Sequence, residues 1–157
     1  MKIKLLVIGK TDQKYLQEGL ADYHKRIPHY LPFEFTVIPD LKNTRKLSED
    51  QQKEKEGELI LAQVKAGDEL VLLDERGQTF RSTEFARFLE KKMLGGLKNL
   101  IFVIGGPYGF SEAVYQRATG KVSLSKMTFS HQLIRLIFSE QLYRALTILK
   151  GEPYHHE

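Results

Sequence analysis

The chain has 157 residues, of which 41% are hydrophobic, and a formal net charge of +4. That is one domain's length with enough apolar material for a core, so residues 1–157 are expected to form a single domain. No cysteine is present, which excludes disulfides and thiolate metal sites and suits a reducing cytoplasm.

The first uninterrupted apolar run covers only residues 5–8. It is too short for a signal peptide core or a membrane span, so residues 2–8 read as a strand. Tyr15, Leu16, Leu20, Tyr23 and Ile27 recur at helical spacing and predict a helix over residues 12–27. Pro28 and Pro32 bracket a loop, and β-rich residues 33–38 follow. Ser48 is placed to cap a helix reaching about Ala66, with a highly charged, solvated first half. Residues 69–73 read as a strand ended by the loop Asp74-Glu75-Arg76-Gly77. A helix over residues 83–94 stops at Gly95-Gly96. The most apolar strand covers residues 100–104. Ser111 caps a short helix, residues 122–124 form a short strand, and residues 131–149 form the last helix. Five strands alternating with five helices predict an α/β fold, with helices flanking a mostly parallel sheet.

Ligands of such sheets bind at the carboxyl ends of the strands. Ile104-Gly105-Gly106-Pro107-Tyr108-Gly109 is one such end, and its glycines either admit a ligand or simply make a tight turn. It matches neither the dinucleotide fingerprint nor a Walker A loop, which argues against a nucleotide-binding oxidoreductase. Asp74 and Glu75 suit acid–base work or a ribose contact, or belong to a plain charged loop. The polar loop Leu124-Ser125-Lys126-Met127-Thr128-Phe129-Ser130 runs into the last helix. There Ser130 either caps the helix or leaves N–H groups for an anion. None of the five histidines has metal-ligand spacing, so no metal is expected.

The last helix is apolar on more than one side, which points to a homodimer built on it, with Leu142 a candidate interface position. The tail Gly151-Glu152-Pro153-Tyr154-His155-His156 lies past the last apolar position. It offers stacking and proton transfer, and its loss is expected to cost little stability.

The motifs IGGPYGFS, SLSKMTFSHQLIR, SEQLYRA and PYHH, with KIKLLVIGK at the start and LLDERG in the middle, resemble one known family over the whole chain. It is the bacterial family that methylates a pseudouridine of large-subunit (23S) ribosomal RNA at N3, within the SPOUT, or α/β-knot, superfamily. The resemblance implies a carboxyl-terminal trefoil knot holding S-adenosyl-L-methionine, a homodimer, and ribosomal RNA in the ribosome as partner. By position it puts the cofactor on Leu73, Gly105, Leu124, Ser125, Lys126, Met127, Thr128 and Phe129. It brings Tyr154 and His156 of the tail toward the substrate. Family members often carry Arg or Lys at the position of His156 and Pro at that of Ser130.

Methyl transfer to a ring nitrogen needs in-line geometry and a route for the N3 proton. His131, Tyr154 and His156 are the candidate bases, and Arg135 is a candidate to hold phosphate or the deprotonated imide. An α/β-knot methyltransferase with another RNA target, and a non-enzymatic ribosome-associated RNA-binding protein, are the competing readings.

Overall fold

The computed structural model describes residues 1–156. Apolar residues alternate in period two along strands that are covered on both sides. Ile3, Leu5 and Val7 face one core and Leu6 and Ile8 the other. The elements are β1 (Lys2–Ile8), α1 (Lys14–Arg26), β2 (Phe33–Ile38), α2 (Glu49–Leu61), β3 (Glu69–Thr79) and α3 (Ser82–Leu94). They continue with β4 (Asn99–Ile104), α4 (Glu112–Arg117), β5 (Gly120–Ser123) and α5 (Leu133–Leu149). Among the described residues no helix is long and apolar enough to cross a membrane.

The strands form one sheet in the order β2-β1-β4-β3-β5, and every neighbouring pair is parallel. Helices α1, α5 and α3 pack on one face, with α5 touching both of the others. Helices α2 and α4 cover the opposite face through Ile60 and Val114. Phe85, Phe102 and Phe138 meet at the centre of the first core, with ring centroids 4.8–6.3 Å apart. Burial of each such ring or leucine contributes roughly 1.5–3 kcal/mol.

Local signals in the sequence are realised where they depend on neighbours only. Ser48 accepts from the Gln51 N–H at 3.1 Å and the Gln51 side chain accepts from the Ser48 N–H at 2.9 Å, a reciprocal capping box. Ser111 accepts from Val114 N–H at 3.3 Å and starts α4.

Three expectations change. Helix α2 ends at Leu61, short of Ala66. Strand β3 does not stop at Leu73 but runs to Thr79. Leu73 and Gln78 both lie opposite Val122 of β5, so Asp74-Glu75-Arg76-Gly77 is a bulge within the strand. Gly77 is required there, because a Cβ would lie 2.7 Å from backbone atoms of Lys121 and Val122. Third, much of the apolar surface of α5 is taken up inside the chain by the sheet, α1 and α3, while Leu133 stays exposed and Ile134, Leu136 and Ile137 are half-buried. Leu142 is 0% exposed and belongs to this core rather than to an outer interface.

Candidate active site

Beyond β5 the chain crosses the carboxyl ends of the strands toward β1. Gln132 donates from Nε2 to the Lys10 carbonyl at 3.0 Å and accepts from the Asp12 N–H at 2.9 Å. This crossing closes a cleft of about 450 Å³ over the ends of β3, β4 and β5. Leu73, Gly105, Leu124, Ser125, Met127, Thr128 and Phe129 line it, with His131 from the crossing segment and Ile134 from the first turn of α5. Lys126, expected among them, stands outside the lining.

The crossing loop is held by its own polar groups. The Ser123 hydroxyl donates to the Ser125 carbonyl at 2.8 Å, and the Ser125 hydroxyl accepts from the Met127 N–H at 2.9 Å. The Thr128 hydroxyl donates to Glu75 at 2.9 Å and ties the loop to the β3 bulge. Ser130 accepts from the Leu133 N–H at 3.0 Å, so its hydroxyl caps α5.

Gly105 sits on the Phe110 ring, where a Cβ would approach to 3.0 Å. Its neighbour Gly106 lies over Glu56 of α2, which is 4% exposed and has one carboxylate oxygen without a hydrogen-bond partner among the described residues. Burial, reinforced by nearby Asp40 and opposed by the Gln52 amide, raises the pKa of Glu56.

A second cluster forms the cleft wall. The Tyr115 hydroxyl donates a short bond to Asp74, whose other oxygen accepts from the Arg76 N–H at 2.8 Å. The Arg76 guanidinium donates to the same Tyr115 oxygen at 3.0 Å. Burial works against ionisation of Asp74, but the Tyr115 and Arg76 bonds outweigh it and hold its carboxyl below the usual range. Sequence reading raised Asp74 but missed Tyr115. The only signal for Tyr115 was its place four residues after the capping Ser111. Pairing with Asp74 depends on packing between residues 41 apart in sequence.

The four candidate catalytic residues are not brought together. His131 lines the cleft. Arg135 is 1% exposed and is absent from the lining. Its guanidinium is spent on the backbone of residues 8–9, on Thr11 and on the His131 carbonyl. In this arrangement its donors face the end of β1 and the His131 carbonyl rather than the cleft. Tyr154 and His156 are also absent from the lining of their own chain's cleft. Tyr154 lies on α5 with its hydroxyl donating to Glu140 at 3.1 Å. The tail is tied down further by Tyr30 donating to Glu152 at 2.7 Å and by Arg144 against His155 at 3.1 Å. It is tied down rather than frayed, so its removal is expected to cost stability.

A parallel α/β domain with a cleft across adjacent strand ends is a small-molecule-binding domain of the enzyme type. Apolar residues Leu73, Ile104, Val122 and Ile134 supply its floor, and loop backbone and hydroxyls supply polar edges. The model of the family described as predicted SPOUT methyltransferase matches residues 1–155, and the chain belongs to that family. It is similar over its full length to proteins named ribosomal RNA large subunit methyltransferase H. Identity is 65% to that of Parabacteroides distasonis and 62% to that of Flavobacterium johnsoniae, covering 100% of each chain. It is 57% to that of Bacteroides fragilis, again over 100% of both.

Proposed function

We propose that this chain methylates a pseudouridine of large-subunit ribosomal RNA at N3, on the assembled ribosome in the cytoplasm. The observation that carries this reading is the cleft over three strand ends, in a chain 65% identical end to end to a relative named as a ribosomal RNA large subunit methyltransferase.

S-adenosyl-L-methionine supplies an activated methyl group on a sulfonium. The cleft suits it: a volume of about 450 Å³, an apolar floor for a flat base, and polar loop edges for the ribose and amino-acid ends. Leu73, Gly105 and the loop residues Leu124, Ser125, Met127, Thr128 and Phe129 would hold it. The protein's work is then orientation, placing the ring nitrogen in line with the methyl. The target base must leave its stack to enter. Of His131, Tyr154 and His156, only His131 lines the cleft of its own chain, and it would take the N3 proton directly or through a water.

The protein acts as a homodimer in this reading. Leu133, 36% exposed beside the cleft residue Ile134, leaves apolar surface next to the opening. A second copy there would bring its own Tyr154 and His156 to the substrate side, where the chain's own tail is absent. The fold is a trefoil knot in this reading. Supporting it, the chain leaves the edge strand β5, crosses to the end of β1, and inserts α5 between α1 and α3.

The test is nucleoside mass spectrometry of ribosomal RNA from cells with and without the protein, with purified ribosomes and free RNA as substrates in vitro. Loss of N3-methylpseudouridine in the deletion strain and its return on ribosomes supports the proposal. Unchanged modification rejects it.

A further inference from the structure

A fully buried guanidinium without a carboxylate is costly, because the charge gives up water for neutral acceptors. Arg135 is such a group. Among the described residues no carboxylate lies within ion-pair distance of it, and Asp12 and Asp40 offset its burial only from farther off. Its donors instead gather backbone. Nη2 donates to the Ile8 carbonyl at 2.7 Å, and Nη1 to the Gly9 carbonyl at 2.8 Å and the Thr11 hydroxyl at 3.1 Å. Nε donates to the His131 carbonyl at 3.1 Å. Gln132 holds Lys10 and Asp12 in the same stretch. Each residue from 8 to 12 is therefore bonded to one of two side chains at the start of α5.

The consequence falls on the cleft. Residues 124–129 of the crossing loop line it, apart from Lys126. One end of this loop leaves β5 at Ser123, where the Ser123–Ser125 bond fixes it. The other end is His131, whose carbonyl Arg135 grips. Between these anchors, Thr128 to Glu75 is the side-chain bond that joins the loop to a distant segment. Without its second anchor the loop would sample many positions, and only a fraction would fit a ligand.

We propose that Arg135 and Gln132 form a latch that locks the start of α5 to the end of β1 and so preorganises the 124–131 loop for its ligand. Arg135 is then a positioning residue, not a catalytic one. The inference rests on the cleft being the S-adenosylmethionine site. It predicts an effect confined to ligand affinity, since an unlatched loop lowers the competent fraction but leaves the bound geometry intact.

The experiment uses full-length Gln132→Ala, Arg135→Lys and Arg135→Met. Each is titrated with S-adenosylmethionine and, separately, S-adenosylhomocysteine by calorimetry, with the folded fraction taken from circular dichroism. Methylation of ribosomes is measured at saturating cofactor. Gln132→Ala removes two bonds at the surface and is expected to fold. It should weaken both ligands about 5- to 10-fold, raise KM for the cofactor equally, and leave kcat within about twofold. Arg135→Lys should retain more affinity than Arg135→Met, because one ammonium reaches some of the carbonyls. If both Arg135 variants fail to fold, Gln132→Ala decides alone. Unchanged affinity in folded Gln132→Ala overturns the latch, as does a fall in kcat with KM unmoved. A wild-type protein that binds neither ligand overturns the cofactor assignment and the latch with it.

Discussion

Replacing Tyr154 with Ala separates the tail's structural work from its chemistry. The Tyr154 ring stands edge-on to Tyr143 at 4.8 Å and lies under the Arg144 guanidinium at 4.7 Å. Its hydroxyl bonds to Glu140 at 3.1 Å and approaches the Tyr23 hydroxyl at 3.5 Å. Burial, with Tyr23 and Glu140 alongside, drives the phenol pKa well above its ordinary value, so the group is a neutral donor at any physiological pH. An aromatic pair contributes about 0.5–1.5 kcal/mol, a half-exposed cation–π contact about 0.5–1, and a hydrogen bond about 1. Tyr154→Ala should therefore cost about 2–3.5 kcal/mol, a drop of roughly 4–14 °C in Tm for a chain of this length. Tyr154→Phe keeps the ring and should cost only about 1 kcal/mol. Both are checked by thermal circular dichroism, followed by methylation of ribosomes well below the lower Tm. Loss of activity in both variants, with cofactor affinity intact, is the expected result if the hydroxyl serves the substrate. A Tyr154→Ala protein melting within about 1 °C of wild type would refute the packing argument.

Gly105→Val should push the buried Phe110 ring aside, costing roughly 1–3 kcal/mol and weakening S-adenosylmethionine at least about 10-fold by calorimetry. Unchanged affinity in the folded variant removes Gly105 from the site. Leu142→Glu places a carboxylate in the core between sheet and helix, and the chain should unfold or aggregate rather than yield a folded monomer. Sedimentation and circular dichroism of the purified variant distinguish the outcomes. His24 is held neutral by burial, with its pKa lowered to about 4, and it bonds Ser139 at 2.8 Å. The unfolded chain takes up this proton near pH 6.5 and the folded chain only near 4, so stability is full above 6.5 and falls as the pH drops through that window. Denaturant midpoints of His24→Gln should fall less steeply than wild type between those values, and parallel curves would exclude the histidine as the cause.

Local pattern alone specified most of the elements. Alternating apolar residues in β1 and β4, the caps Ser48 and Ser111, and the stop at Gly95 act between near neighbours, so they can be read without knowing the fold. The glycines after Ile104 and the polar loop after Val122 marked strand ends that line one cleft, and the motif resemblance is what assigns that cleft to a cofactor. Tertiary structure decided the rest. The bulge at residues 74–77 exists because β3 must pair again with Val122, a partner absent from any local window. Helix α5 reads as apolar on several sides, and only the fold shows which of them α1 and α3 take up, burying Leu142 and leaving Leu133 exposed. Arg135, an ordinary surface residue by type, is buried because the end of β1 presents it with bare carbonyls 126 and 127 residues away. Charge and hydropathy state what a side chain prefers. Only the returning chain determines which acceptors meet it, and that meeting makes a buried arginine stable and a cleft specific.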